Sequence, residues 1–223
     1  MRHLLTALRA LVVVLVVLGV LWVPAAGWDD PRLTPAGIGT KLVYFTIQSN
    51  LLLAAVLAVD VVARLRSRAG PSPWLVGGAT FFVTITGVVY NTLLVPGGGP
   101  EAVLLLAGRP SSDLLHAVVP ALALLDWVLF RPHGVLSVRR SLVWLVYPFA
   151  YSVFAIVRGG LVDSSVRYPY WFLDPTEIGW GGVGLAFAAL LPAFAVLACL
   201  FVGCDRVLGR ARRRASLAAT EGE

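Results

Sequence analysis

The chain has 223 residues, of which 58% are hydrophobic and 13% charged, and its mean hydropathy is +0.84. A water-soluble domain carries about a quarter charged residues, so this composition excludes a soluble globular domain and leaves lipid as the solvent. The formal charge of +6 does not indicate nucleic-acid binding, because most charges flank apolar runs and form no basic patch interleaved with aromatics.

Crossing a hydrocarbon core of about 30 Å takes roughly 20 helical residues, and six apolar runs reach or approach that length. The first, 4–23, follows Arg2 and contains Arg9. Its small-residue end, Pro24-Ala25-Ala26-Gly27, also resembles a signal-peptide cleavage site. The apolar run is longer than such peptides use, which favours a retained helix. The second run is 41–63, the third 74–95 and the fourth 112–130, each bounded by Pro, Gly or charge. The fifth, 141–157, is short. The sixth, 180–207, follows Asp174-Pro175-Thr176-Glu177, the pattern of a capping box. Both cysteines, Cys199 and Cys204, lie late in this last run and imply no disulfide framework. The expected fold is therefore all-α: one transmembrane domain of about six helices over residues 1–211, then a disordered tail over 212–223.

Orientation follows from the basic residues. Thirteen arginines flank one set of helix ends: Arg2, Arg9, Arg64, Arg66, Arg68, Arg131, Arg139, Arg140 and five from Arg206 to Arg214. Five basic residues fall on the other side: Arg32, Lys41, Arg109, Arg158 and Arg167. The richer side is cytoplasmic, and it holds both termini. Arginine in seventeen of eighteen basic positions, with abundant Ala, Val and Gly, suits a GC-rich bacterial genome and hence a bacterial plasma membrane. On the cytoplasmic side the second, fourth and sixth helices end in Asp60/Arg64, Asp126/Arg131 and Asp205/Arg206, which reads as interfacial charge pairing.

Polar side chains inside a membrane span are costly and face the protein interior. Helical spacing groups Thr46, Ser49 and Asn50 on the second helix, and Thr80, Thr84, Gly87 and Asn91 on the third. Ser112, Asp113 and His116 open the fourth, while Tyr147, Tyr151 and Arg158 share a stripe on the fifth. Thr46 and His116 lie about five and four residues inside the outer ends of their predicted helices, hence at a matched depth of roughly 6–8 Å. A hydroxyl beside a neutral imidazole is the equipment for acyl transfer. Asp113, one turn before His116, is placed to orient its ring. The same residues have structural uses: a buried Thr bonds its own helix, and Ser112 or Asp113 is an N-cap. Pro120, Pro148 and Pro192 interrupt the ladder in helices four, five and six, removing the donor for the carbonyls of His116, Trp144 and Ala188. The three histidines fall on different segments, so no metal site is expected, and no cofactor motif is present.

These residues resemble a known family. Tyr44-Phe45-Thr46-Ile47-Gln48-Ser49-Asn50 is similar to the threonine segment of the androgen-induced family of membrane proteins. His116-Ala-Val-Val-Pro120 followed by Asp126-Trp127 is similar to its histidine segment. Tyr147-Pro148, Arg158-Gly159 and the run from Tyr168 to Pro175 resemble the bacterial branch. The resemblance covers nearly the whole chain. It implies hydrolysis of fatty acid esters of hydroxy fatty acids, as by the animal members, with Thr46 as nucleophile and His116 as base. Asn50, Asn91 or Tyr151 would then donate to the oxyanion, and Arg158 would hold a substrate carboxylate. The expected partners are membrane lipids and a lipid ester substrate, without nucleic acid. A carrier or sensor that only binds a lipid or apolar ligand is the alternative.

Overall fold

The computed structural model describes residues 2–21, 39–94, 114–163 and 166–221, and among them every regular element is helical. The first half contains α1 (Arg2–Leu21), α2 (Phe45–Leu65) and α3 (Pro73–Val89), which continues into a π-helical turn (Tyr90–Leu94). A second π turn (Leu114–Val118) leads into α4 (Val119–Phe130). The second half contains α5 (Val138–Ser141), a 3₁₀ turn (Leu142–Leu145), α6 (Val146–Leu161), another 3₁₀ turn (Trp171–Leu173) and α7 (Pro175–Glu221). Among the described residues five helical runs are long and apolar enough to cross a membrane, and the fourth of the predicted spans is described as the shorter run Leu114–Phe130.

The chain forms two compact units, residues 1–127 and 128–223. In the first, α1 packs on α2 and buries Val12, Val16 and Val20, a stripe at i, i+4, i+8 that puts all three on one helix face. Every residue of α3 from Val76 to Thr86 is buried. A helix buried all round lies at the centre of its unit, and α3 is that helix. It starts at Ser72, whose hydroxyl accepts the Leu75 N–H at 3.3 Å, with Pro73 at the first helical position. At the end of α1, Lys41 Nζ donates to the Val20 carbonyl at 2.7 Å, satisfying one of the acceptors that a helix C-terminus leaves over.

In the second unit the segment 131–137 folds onto α7. Asp205 Oδ2 accepts the N–H groups of Val135 (2.9 Å) and Leu136 (2.8 Å), and Oδ1 meets His133 Nδ1 at 3.2 Å. Gly134 adopts φ +80°, and a Cβ on Gly209 of α7 would stand 2.7 Å from the Gly134 nitrogen. Gly209 is thus required by close backbone approach. Gly209→Ala is expected to destabilise by about 1–3 kcal/mol despite alanine's better helix propensity. A lower thermal unfolding midpoint in detergent is the check.

Several boundaries differ from expectation. Residues 212–221 are helical, not a disordered tail: α7 runs on to Glu221, because the Ala- and Arg-rich stretch contains strong helix formers and no breaker. Arg212 is moreover tied down, donating to the carbonyls of Arg131 (2.6 Å), Leu129 (2.7 Å) and Val128 (3.1 Å) at the end of α4. Asp174 does cap a helix start, accepting from Thr176 N at 2.8 Å, but Gly179 (φ 68°, ψ 165°) breaks α7 directly after that turn. The fifth run is longer than expected, extending over Val138–Leu161, with 3₁₀ geometry at Leu142–Leu145 just before Pro148. There the missing proline N–H cannot serve Trp144.

Candidate active site

In the first unit α2 begins at Phe45, so Thr46 occupies its first turn rather than a position five residues inside. Its hydroxyl Oγ1 lies 3.1 Å from His116 Nε2. Thr46 is 7% exposed, so the pair meets in a largely desolvated setting. The two residues stand 70 positions apart, and three local features bring them together.

The first is the π turn Leu114–Val118, which carries His116 and ends two residues before Pro120. Proline has no N–H for the His116 carbonyl, so the i→i+4 ladder fails there and the turn widens. The second is Gly87 on α3. A Cβ at that position would lie 3.1 Å from the His116 carbonyl oxygen and 3.5 Å from the Pro120 ring, so glycine lets α3 approach the His116 turn. The close approach puts Tyr90 against His116, stacked with centroids 4.0 Å apart, and Tyr90 itself sits in a π turn. The ring is held on its face by one helix and at its edge by another.

The third feature is Asn50. Its Nδ2 donates to the Thr46 carbonyl at 2.8 Å and to the Leu115 carbonyl at 3.2 Å. Asn50 therefore ties the backbone of Thr46 to the residue before His116. Both amide hydrogens are committed to this clamp, and Asn50 Oδ1 is a buried acceptor without a partner. The oxyanion-donor role expected of Asn50 would require one of these two bonds to be given up. Ser49, on the same face, lies 2.9 Å from Thr86 Oγ1 and donates to the Thr46 carbonyl at 3.1 Å.

The remaining predicted site residues are placed differently. Asn91 is exposed, and its Nδ2 donates to the Gly87 carbonyl of its own helix at 2.8 Å. Asp113 lies outside the described residues. Tyr151 and Arg158 belong to the second unit. Tyr151 is buried with its ring beside Phe154 and Tyr170. Arg158 Nη1 donates to the carbonyls of Val166 (2.8 Å) and Arg167 (3.1 Å), holding the segment after α6. Thr80 and Thr84 donate back to the carbonyls of Val76 and Thr80, four residues earlier, as buried helical threonines do.

A second polar centre occupies the other end of the same unit. Arg9 is fully buried and donates from Nε to Asp126 Oδ1 (2.9 Å) and from Nη1 to Asp60 Oδ2 (2.8 Å). Arg64 Nε reaches Asp60 Oδ2 at 3.2 Å. The expected Asp60/Arg64 pair is thus present, but its setting is not a hydrated interface: Asp60 and Asp126 are 4% exposed and share Arg9. Asp205 likewise is buried on His133 and two backbone amides. The signal for Arg9 was present, since a guanidinium inside an apolar run must find a partner.

Among the described residues no group of His, Cys, Asp and Glu is arranged to hold a metal ion. No protein-family model, curated protein or solved structure matches the chain.

Proposed function

We propose that the protein is a multi-pass enzyme of the bacterial plasma membrane that hydrolyses lipid esters, with Thr46 as nucleophile and His116 as general base. The observation that carries this reading is the 3.1 Å contact between Thr46 Oγ1 and His116 Nε2. A lipid carrier needs no such contact. Lipid as the surrounding solvent is supported by apolar side chains that remain exposed on long helices, among them Leu4, Leu11, Val14 and Leu18 of α1 and Leu185, Val196 and Leu200 of α7. The arginine distribution supports both termini of a six-span bundle lying in the cytoplasm.

In the working tautomer the Thr46 hydroxyl donates to Nε2. As Oγ1 attacks the ester carbonyl carbon, His116 takes the proton. Collapse of the tetrahedral intermediate breaks the ester C–O bond, and His116 returns the proton to the leaving alcohol. Water, deprotonated by the same imidazole, then attacks the acyl-threonine, releasing the acid and restoring the hydroxyl. The oxyanion forms at the start of α2, at the positive end of the helix dipole. The first i→i−4 bond there runs from Gln48 N to Tyr44 O at 3.2 Å. The Ile47 N–H, next to the nucleophile, precedes that ladder and is the oxyanion donor in this reading. The resemblance to the androgen-induced family makes fatty acid esters of hydroxy fatty acids the first substrates to try.

The test is fluorophosphonate labelling of the detergent-solubilised protein, in which Oγ1 displaces fluoride from phosphorus. Labelling of the wild type that disappears in Thr46→Ala is the expected result. Folded wild type that stays unlabelled and turns over no ester, yet retains a lipid, would favour a carrier.

A further inference from the structure

The second unit carries a basic face that the hydrolytic chemistry does not use. Between Val128 and Val146, and between Ala198 and Ala218, the chain contains eight arginines and one acid, Asp205. That acid offers nothing to the surface: it is 1% exposed and occupied by His133 Nδ1 and the N–H groups of Val135 and Leu136. Arg212 is consumed by the carbonyls at the end of α4, and Arg131 is buried. Arg139 on α5 and Arg206, Arg210 and Arg214 on α7 remain exposed. The positions i, i+4, i+8 of Arg206, Arg210 and Arg214 put them on one side of α7, and α5 packs against that helix.

The surroundings decide which polyanion suits this face. Val135, Val143 and Val207 are large apolar side chains more than half exposed, close in sequence to the arginines. An arginine row continued by exposed valines and leucines suits a headgroup layer above acyl chains. A nucleic-acid surface would want aromatic stacking platforms instead. The face also lies where the apolar part of α7 gives way to charge, which is the level of the headgroups if α7 spans a bilayer.

We propose that Arg139, Arg206, Arg210 and Arg214 form a binding face for anionic phospholipid headgroups. The proposal rests on membrane insertion but not on the Thr46 chemistry. Juxtamembrane arginines bind acidic lipid with about fivefold gained per residue, equivalent to about 1 kcal/mol each, and salt weakens the attraction.

The experiment is native mass spectrometry of the full chain in detergent, titrated with phosphatidylglycerol or with phosphatidylcholine. The wild type is expected to retain phosphatidylglycerol in preference, with the preference fading at high salt. Replacing Arg206, Arg210 and Arg214 with glutamine should bring phosphatidylglycerol down toward the phosphatidylcholine level. Phosphatidylcholine adducts and helical content should stay the same, and so should Thr46-dependent labelling. Arg139→Gln alone, at a site remote in sequence from α7, should weaken phosphatidylglycerol about fivefold. Equal retention of the two lipids by the wild type, or an undiminished preference in the triple variant, would overturn the proposal. So would tight binding of a single-stranded oligonucleotide at the same salt without preference for phosphatidylglycerol, which would assign the face to nucleic acid.

Discussion

Thr46→Ala is expected to lower ester turnover by at least about 10³-fold, and His116→Ala by about 10²–10⁴-fold, the range that general acid–base catalysis supplies. In the proposed mechanism the two groups, 3.1 Å apart, act as one device. Without the base the hydroxyl is a poor nucleophile, and without the hydroxyl the base has nothing to activate. The double variant should therefore fall little further than the worse single one, as happens when catalytic residues work as a unit. Thr46→Ser keeps the hydroxyl and should retain much of the activity. Substrate affinity should change less than kcat in all of these, since the interactions removed belong to the transition state. Steady-state hydrolysis of a fluorogenic lipid ester by each variant measures this. Full turnover in either alanine variant would sink the mechanism.

The second large effect concerns stability. Arg9→Met removes the cation between Asp60 and Asp126, both almost wholly buried. Asp60 keeps Arg64, whereas Asp126 loses the guanidinium that neutralises it. Breaking a buried ion pair from one side typically costs about 3–5 kcal/mol, much of the margin of an ordinary domain. The signature is non-additivity. Arg9→Met combined with Asp60→Leu and Asp126→Leu removes every charge that Arg9 had served, while Arg64 is part-exposed and can turn to water. That triple variant should be much more stable than Arg9→Met alone, as read by thermal unfolding in detergent. A single variant of unchanged stability, or a triple variant worse than the single, would show that the charges do not act as a cluster.

The helices were legible because an apolar run long enough to cross a membrane is a strong, local signal. Their ends were less so. Pro148 disturbs the ladder by tightening it into a 3₁₀ turn, and Pro120 by widening it into a π turn. Both respond to the same missing donor, and a sequence does not say which way the turn will give. The Thr46–His116 contact could be anticipated because a hydroxyl and an imidazole are distinctive in apolar helices and lie at similar predicted depth. The supporting shell could not. Nearby carbonyls compete for amide hydrogens: they hold both of Asn50's and one of Asn91's, and a sequence does not show that competition. Tyr90 lies off the Thr80, Thr84, Gly87 and Asn91 stripe, so helical spacing does not select it, yet it stacks on the histidine. Arg9 was read as a marker of sidedness. Its partners lie 51 and 117 residues away, and no local pattern links them.

That separation also sets a clock. During synthesis at about 5–20 residues per second, Arg9 is made roughly 3–10 s before Asp60 and roughly 6–23 s before Asp126. For that interval α1 carries a cation whose final partners do not yet exist. If the helices insert in chain order, the first must wait at an interface, or in the keeping of the insertion machinery, with its arginine hydrated. Its docking is completed only when α4 arrives, so the last helix of the first unit closes the contact that the first one opened.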